Sequence, residues 1–167
     1  MPTLEAGSRY GNIIKSINAF VDAQIRVGLG QTVYFEDEGR LGNLPQRWIE
    51  IDFIEGEQVG EILGYVDGGH TTFTECYLNI NVFEQVESGT TQTNVYTVYT
   101  LIDNIREMFE VPCGITVYDY GTVGNPVAGR LTTWVSPMVR RIATPPDAGI
   151  KQFNISVPLR YHSVVAA

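Results

Sequence analysis

Residues 153–161 alternate without interruption: Phe153, Ile155, Val157, Leu159 and Tyr161 are large and apolar, whereas the intervening Asn154, Ser156, Pro158 and Arg160, preceded by Gln152, are not. A period of two sends successive side chains to opposite faces, so this segment is a strand with one buried face. The rest of the chain must supply a layer to cover that face. Ahead of it the sequence reads, in order, as a helix, strands, a long strand, a second helix and further strands.

With 167 residues, 44% of them hydrophobic, the chain has material for one core, and a single domain over 1–167 is expected. Ile13, Ile14, Ile17, Phe20, Val21 and Ile25 recur at helical spacing from about Ser8, and Gly28 and Gly30, which tolerate left-handed backbone angles, supply the stop. Val33, Tyr34 and Phe35 read as a short strand, followed by a surface loop over 36–46 that holds an acidic triplet, Gly39, Gly42, Asn43 and Pro45. Residues 47–53 put Ile49, Ile51 and Phe53 on one face and Trp48, Glu50 and Asp52 on the other, a strand with a wet side. The glycine-rich stretch 55–69 is expected to form a hairpin arm or an extended loop. In 75–84, Cys76, Leu78, Ile80 and Val82 oppose Tyr77, Asn79, Asn81 and Phe83, which marks the centre of the sheet.

Val95, Val98, Tyr99, Ile102, Ile105 and Phe109 predict a second amphipathic helix, ended by Pro112 and Gly114, with its stripe beside the first helix. Ile115 and Val117, then Leu131, Thr133 and Val135, give two strands joined by a turn region over 121–129. Pro137 marks an edge or bulge, 138–142 continues the second of these strands, and 144–149 is a Pro-rich turn. One-sided helices and one-sided strands need each other. The expected fold is therefore α+β: a mostly antiparallel, mixed sheet with two amphipathic helices packed on one face, plus extended loops or a hairpin arm. The other face, with Trp48, Tyr77 and Phe83 among polar neighbours, is too apolar for a plain solvent face, and a neighbouring subunit is expected to cover it.

Eleven Lys and Arg stand against 19 Asp and Glu, a formal charge of -8 that repels polyanions and anionic membranes, so specific DNA binding is disfavoured. Residues 1–7 lack a cationic region followed by an apolar stretch, and no apolar run is long enough to cross a bilayer. The expectation is a soluble, unprocessed protein of a reducing cytoplasm with no membrane partner. Cys76 and Cys113, without metal-ligand spacing, read as buried filler. His70 and His162 have no His or Cys partner at ligand spacing. Glu36, Asp37 and Glu38 lack the register of a calcium loop, and Gly28-Leu29-Gly30 follows a helix where a dinucleotide site follows a strand. No nucleophile elbow or phosphate-cradling lysine motif occurs. Catalytic, cofactor and metal residues are accordingly expected to be absent, and the chain to be a structural protein rather than an enzyme.

The opening helix through Ile25, the Pro45-x-x-Trp48 lead into Ile49-Glu50-Ile51, the strand Asn79-Ile80-Asn81-Val82-Phe83 running toward a polar break and second helix, and the closing Asn154-Ile155-Ser156-Val157-Pro158-Leu159-Arg160-Tyr161 together resemble the tail terminator proteins of long-tailed bacteriophages, also called tail completion or minor tail proteins. The resemblance implies a small α+β subunit of a homo-oligomeric, hexameric ring at the head-proximal end of the tail tube. Such a ring ends tube polymerisation and offers a head-tail joining surface. It implies as partners the tail tube protein and a head-tail connector or stopper protein, with DNA passing through the lumen unbound. It places the protein in the virion, made in the host bacterial cytoplasm.

Oligomerisation is expected to use the wet sheet face and the loops 36–47, 55–70 and 121–130, because long glycine-rich connections in a compact domain commonly bind something. The candidate interface residues are Glu36, Asp37, Arg40, Arg47, Trp48, Tyr65, His70, Tyr77, Phe83, Arg130, Arg140 and Arg141. Adjacent Arg140 and Arg141 on a strand would point to opposite faces and suit interface ion pairs. Trp48→Ala and Arg141→Glu are each expected to weaken assembly while leaving the subunit folded. The alternatives are another neck component, a carbohydrate-binding module using Trp48, Tyr77 and Phe83, and a hydrolase built on His70 or His162.

Overall fold

In a computed structural model the chain is described at residues 9–36, 38, 42–62, 71–86, 93–144 and 149–163. Helix α1 (Arg9–Val21) runs without a break into a π-helical turn (Asp22–Val27), and Ile13, Ile17, Val21 and Ile25, four residues apart, are fully buried. Gly28 keeps right-handed helical angles, and Gly30, at φ 62°, is the residue that takes the chain out of the helix. There follow β1 (Val33–Tyr34), β2 (Arg47–Ile62), β3 (Thr71–Gln85), helix α2 (Thr93–Met108), β4 (Gly114–Tyr118), β5 (Val127–Thr133), β6 (Met138–Ile142) and β7 (Ile150–Ser163).

The seven strands form one mixed, mostly antiparallel, curled sheet in the order β1-β2-β3-β7-β5-β4, with β6 also on β7 and only the β1–β2 pair parallel. The fold is thus the α+β class expected from sequence. The inner face carries Ile49, Ile51 and Phe53 of β2, Cys76, Leu78, Ile80 and Val82 of β3, and Phe153, Ile155, Val157, Leu159 and Tyr161 of β7, all buried. These residues share one core with the buried stripe of α1 and with Val98, Leu101, Ile102 and Ile105 of α2. The helices approach at their C-terminal ends, where Phe20 and Phe109 lie 5.6 Å apart.

The ambiguous stretch after residue 55 resolves into a hairpin arm. β2 and β3 stay paired out to Ile62 opposite Thr71, with register shifts between Glu55 and Gln58 and again before Gly60. At the first shift the strands come so close that a Cβ on Gly56 would sit 2.5 Å from the Glu75 carbonyl oxygen, so only glycine fits. Residues 138–142 are a separate strand on the same edge of β7 as β5. β5 ends with Thr133 opposite Leu159, and β6 begins with Met138 opposite Ser156. Residues 134–137 therefore bulge out opposite only Val157 and Pro158, where Pro158 has no N–H to offer a ladder.

Both margins of the sheet are tied to the same first helix. On the β4 side, Ser16 Oγ accepts the Tyr118 N–H at 3.1 Å and Asn12 Oδ1 accepts the Tyr120 N–H at 3.0 Å, while Asn12 Nδ2 donates to Asp119 Oδ1 at 3.2 Å. On the β1 side, Arg26 of the π-helical turn donates to the Val33 carbonyl at 2.6 Å. A sheet edge exposes unpaired backbone groups, and here helix side chains meet them. Asn12 is 5% exposed, and Asn12→Ala leaves the half-buried Tyr120 N–H without its acceptor, which should cost about 1 kcal/mol. Chemical denaturation with hydrogen exchange at Tyr120 checks this: a stability loss with faster exchange at that amide is the expected result, and unchanged exchange would reject the edge-capping role.

Candidate functional site

The outer sheet face is the surface the sequence singled out. Strand alternation places Trp48, Glu50, Asp52 and Ile54 of β2 there, with Phe73, Glu75, Tyr77, Asn79, Asn81 and Phe83 of β3 and the even-numbered residues 152–162 of β7. Beyond β7 lie Met138, Arg140 and Ile142 of β6, then Arg130 and Thr132 of β5. Ile54, Tyr77 and Met138 are exposed by 50%, 38% and 57%, so the face offers apolar area to solvent among polar neighbours.

Among the predicted interface residues, Trp48 is buried and Arg47 half-buried within the subunit. Trp48 is only 2% exposed: its ring stacks on Phe83, directly across the strand pair, with centroids 5.1 Å apart and planes 7° apart. Its indole N–H donates to Glu50 Oε1 at 2.7 Å. Arg47 points to the inner face, where its guanidinium donates to Glu84 Oε1 and to Thr97 Oγ1 of α2, both at 2.9 Å. Both residues therefore tie the subunit together. The indole, already covered, presents no open platform to a sugar ring.

Tyr77, Arg130, Arg140 and Arg141 are exposed, and Phe83 is half-buried against Trp48. The Arg130 guanidinium lies over Gly114 on the neighbouring strand, where an added Cβ would fall within 2.9 Å of it. Arg140 stands opposite Asn154 and Arg141 opposite Phe153, so the adjacent arginines do project to opposite faces. Glu36 is exposed near the end of β1. Asp37, Arg40, Tyr65 and His70 lie outside the described residues, as do most of the turn 144–149 and the polar break before α2.

Sequence reading passed over an aromatic clasp on this face. Arg160 lies 4.2 Å from the Trp134 ring centroid and 4.8 Å from that of Phe73, and it pairs with Glu75 at 3.2 Å. Trp134 reaches Arg160 because it belongs to the bulge between β5 and β6, a feature that no local pattern announces. His162 lies within β7, and its ring sits 6.2 Å from Phe73. Burial and the nearby Arg160 charge push its pKa down.

Open depressions border the sheet among the described residues. One of about 220 Å³ is lined by Tyr34, Phe35, Glu36, Glu38, Glu50, Ile51 and Asp52, and a second of about 510 Å³ by Arg26, Gln31, Thr32, Val33, Tyr34 and Glu38. A third, about 420 Å³, runs between α2 and β6, lined by Tyr99, Ile102, Asp103, Arg106, Val139, Arg141 and Phe153. Among the described residues no three His, Cys, Asp or Glu side chains are grouped so as to hold a metal ion. Burial pushes the Cys76 thiol up to about 11 and raises Cys113 as well, so both stay protonated at neutral pH, unlike an activated nucleophile. Asp119 is held below the usual carboxylate range by the Thr122 hydroxyl, the Gly121 N–H and the Asn12 amide, all of which serve its turn. Among the described residues, no helix is long and apolar enough to cross a membrane.

The chain thus belongs to a structural class: an α+β domain whose curled, seven-stranded, mostly antiparallel sheet shares one core with two helices. A solved structure that bears no functional name shares this fold, with a TM-score of 0.57 over 92% of this chain and 96% of its own, at 9% sequence identity. No protein-family model matches the sequence, and no curated protein matches it.

Proposed function

We propose that this chain is a structural ring subunit that caps the head-proximal end of a bacteriophage tail tube, ends tube polymerisation and presents the surface to which the head joins. The observation that carries the reading is the outer sheet face. Ile54, Tyr77 and Met138 are exposed on it, and β6 borders it with an edge that carries no further strand among the described residues, features that suit a protein partner better than solvent. The small α+β fold and the hairpin arm of β2 and β3 are compatible with a subunit that reaches toward its neighbours. The acidic balance, -8 over the chain, would let DNA slide through a lumen without sticking.

The test is to polymerise tail tube protein with and without this chain and to measure tube lengths by electron microscopy. The expected result is short, closed tubes carrying a ring at one end when the chain is present. Tubes that grow to the same length in its presence would remove the terminator reading. Binding to a preassembled connector without any effect on tube length would transfer it to the alternative of another neck component.

A further inference from the structure

The strand registers line up outer-face residues in rows that cross the sheet. In one row Glu50 of β2 faces Asn81 of β3, Asn81 faces Asn154 of β7, and Asn154 faces Arg140 of β6; in the next, Asp52, Asn79, Ser156 and Met138 succeed one another. The first row therefore runs from carboxylate through two amides to guanidinium. At the acidic margin Glu36 and Glu38 join Glu50 and Asp52 around the 220 Å³ depression at the β1–β2 end of the sheet. At the opposite margin both arginines of β6 are exposed, and neither has an ion pair among the described residues. β6 pairs with β7 and carries no strand on its other side among the described residues. In the same row Asn154, more than nine-tenths buried, has an Oδ1 that accepts no hydrogen bond among the described residues.

We infer that a second copy of this chain docks its acidic β1–β2 margin against the open β6 edge, so that copies associate head to tail. Charge complementarity selects the occupant. In a chain of net charge -8, two adjacent exposed arginines on the β6 edge are the natural counterpart of the acidic far margin, where Glu38 pairs with Arg26 and Glu50 accepts from Trp48 while Glu36 and Asp52 stand exposed. The arginines project from both faces of β6, so the basic feature is the edge itself, which favours margin-to-margin contact over face-to-face stacking. A contact between two different patches is heterologous, and each copy then leaves one margin free for the next. Closure into a ring rests on the function proposed above; the contact itself rests on the charge arrangement.

The experiment is light scattering of the full chain over a concentration series at low and high salt. The expected mass exceeds two copies at low salt and falls as salt screens the contact. Arg140→Glu with Arg141→Glu, and separately Glu36→Arg with Asp52→Arg, should each weaken association by about tenfold or more. All four positions are exposed, so both variants should keep the parent's circular dichroism. An equimolar mixture of the two variants should regain the parent's mass, because each reversed margin meets its reversed counterpart. Masses unaffected by either reversal, folded variants whose mixture fails to reassemble, a stop at two copies, or a parent that stays monomeric throughout would overturn the inference. Tube capping by variants with unchanged mass would keep the ring reading and remove this contact; charge-dependent assembly with uncapped tubes would do the reverse.

Discussion

Trp48→Ala should lower the stability of the isolated subunit by about 3–5 kcal/mol, the range for deleting a buried aromatic ring. The indole is 2% exposed, stacked on Phe83 and hydrogen-bonded to Glu50, so truncation removes packing, leaves a cavity and loses that hydrogen bond at once. In a domain of this size that corresponds to a melting point roughly 10 °C lower. Thermal and denaturant unfolding of the monomer measure it. Trp48→Phe should retain most of the stability, because it keeps the stack and loses one hydrogen bond. This revises the expectation that Trp48 acts in assembly alone: a Trp48→Ala subunit that melts with the parent yet fails to assemble would restore it.

Arg47→Ala should be nearly as damaging, by about 3 kcal/mol, the lower end of the range for stranding one partner of a buried ion pair. Glu84 is 6% exposed and sits on the inner face against α2. Arg47 pairs with it at 2.9 Å and also anchors Thr97 of α2. The lower end applies because the Arg47 side chain is one-fifth exposed, which lets water screen part of the charge. Replacing both partners by apolar residues, Arg47→Met with Glu84→Leu, should recover much of the loss, since an apolar pair leaves no stranded charge. Chemical denaturation of the single and double variants decides the matter. A single-variant loss below about 1 kcal/mol would mean that the pair behaves as a screened surface contact.

Taken together, these neighbours explain how the candidate site was partly legible. Residues 47–53 alternate cleanly, and the face assignments of Ile49, Ile51 and Phe53 were correct. Trp48 was assigned to the correct face as well. Alternation reports which face a side chain takes but not what else lies on that face, and Phe83 comes from a strand more than thirty residues away. The glycines around 55–69 signalled irregularity without saying that the strands stay paired as far as Ile62 across two register shifts; that pairing depends on which residues β3 brings opposite. The bulge at 134–137 was announced only by Pro137, while its cause includes Pro158 on the strand opposite.

Hydrophobic periodicity determined the strands, the helices and the α+β class, because burial of a one-sided element is a local property repeated along the chain. Sequence also fixed the residue types that could carry an interface, Arg140 and Arg141 among them, and their opposite faces, which follow from the two-residue period. Tertiary structure alone decided the strand order, the use of α1 and the π-helical turn after it to bind the two sheet margins, and the register that sets Glu50, Asn81, Asn154 and Arg140 in one row. Register is a relation between segments as far apart as 50 and 154. No local spacing encodes it, because pairing energy depends on which partner strand arrives and at what offset.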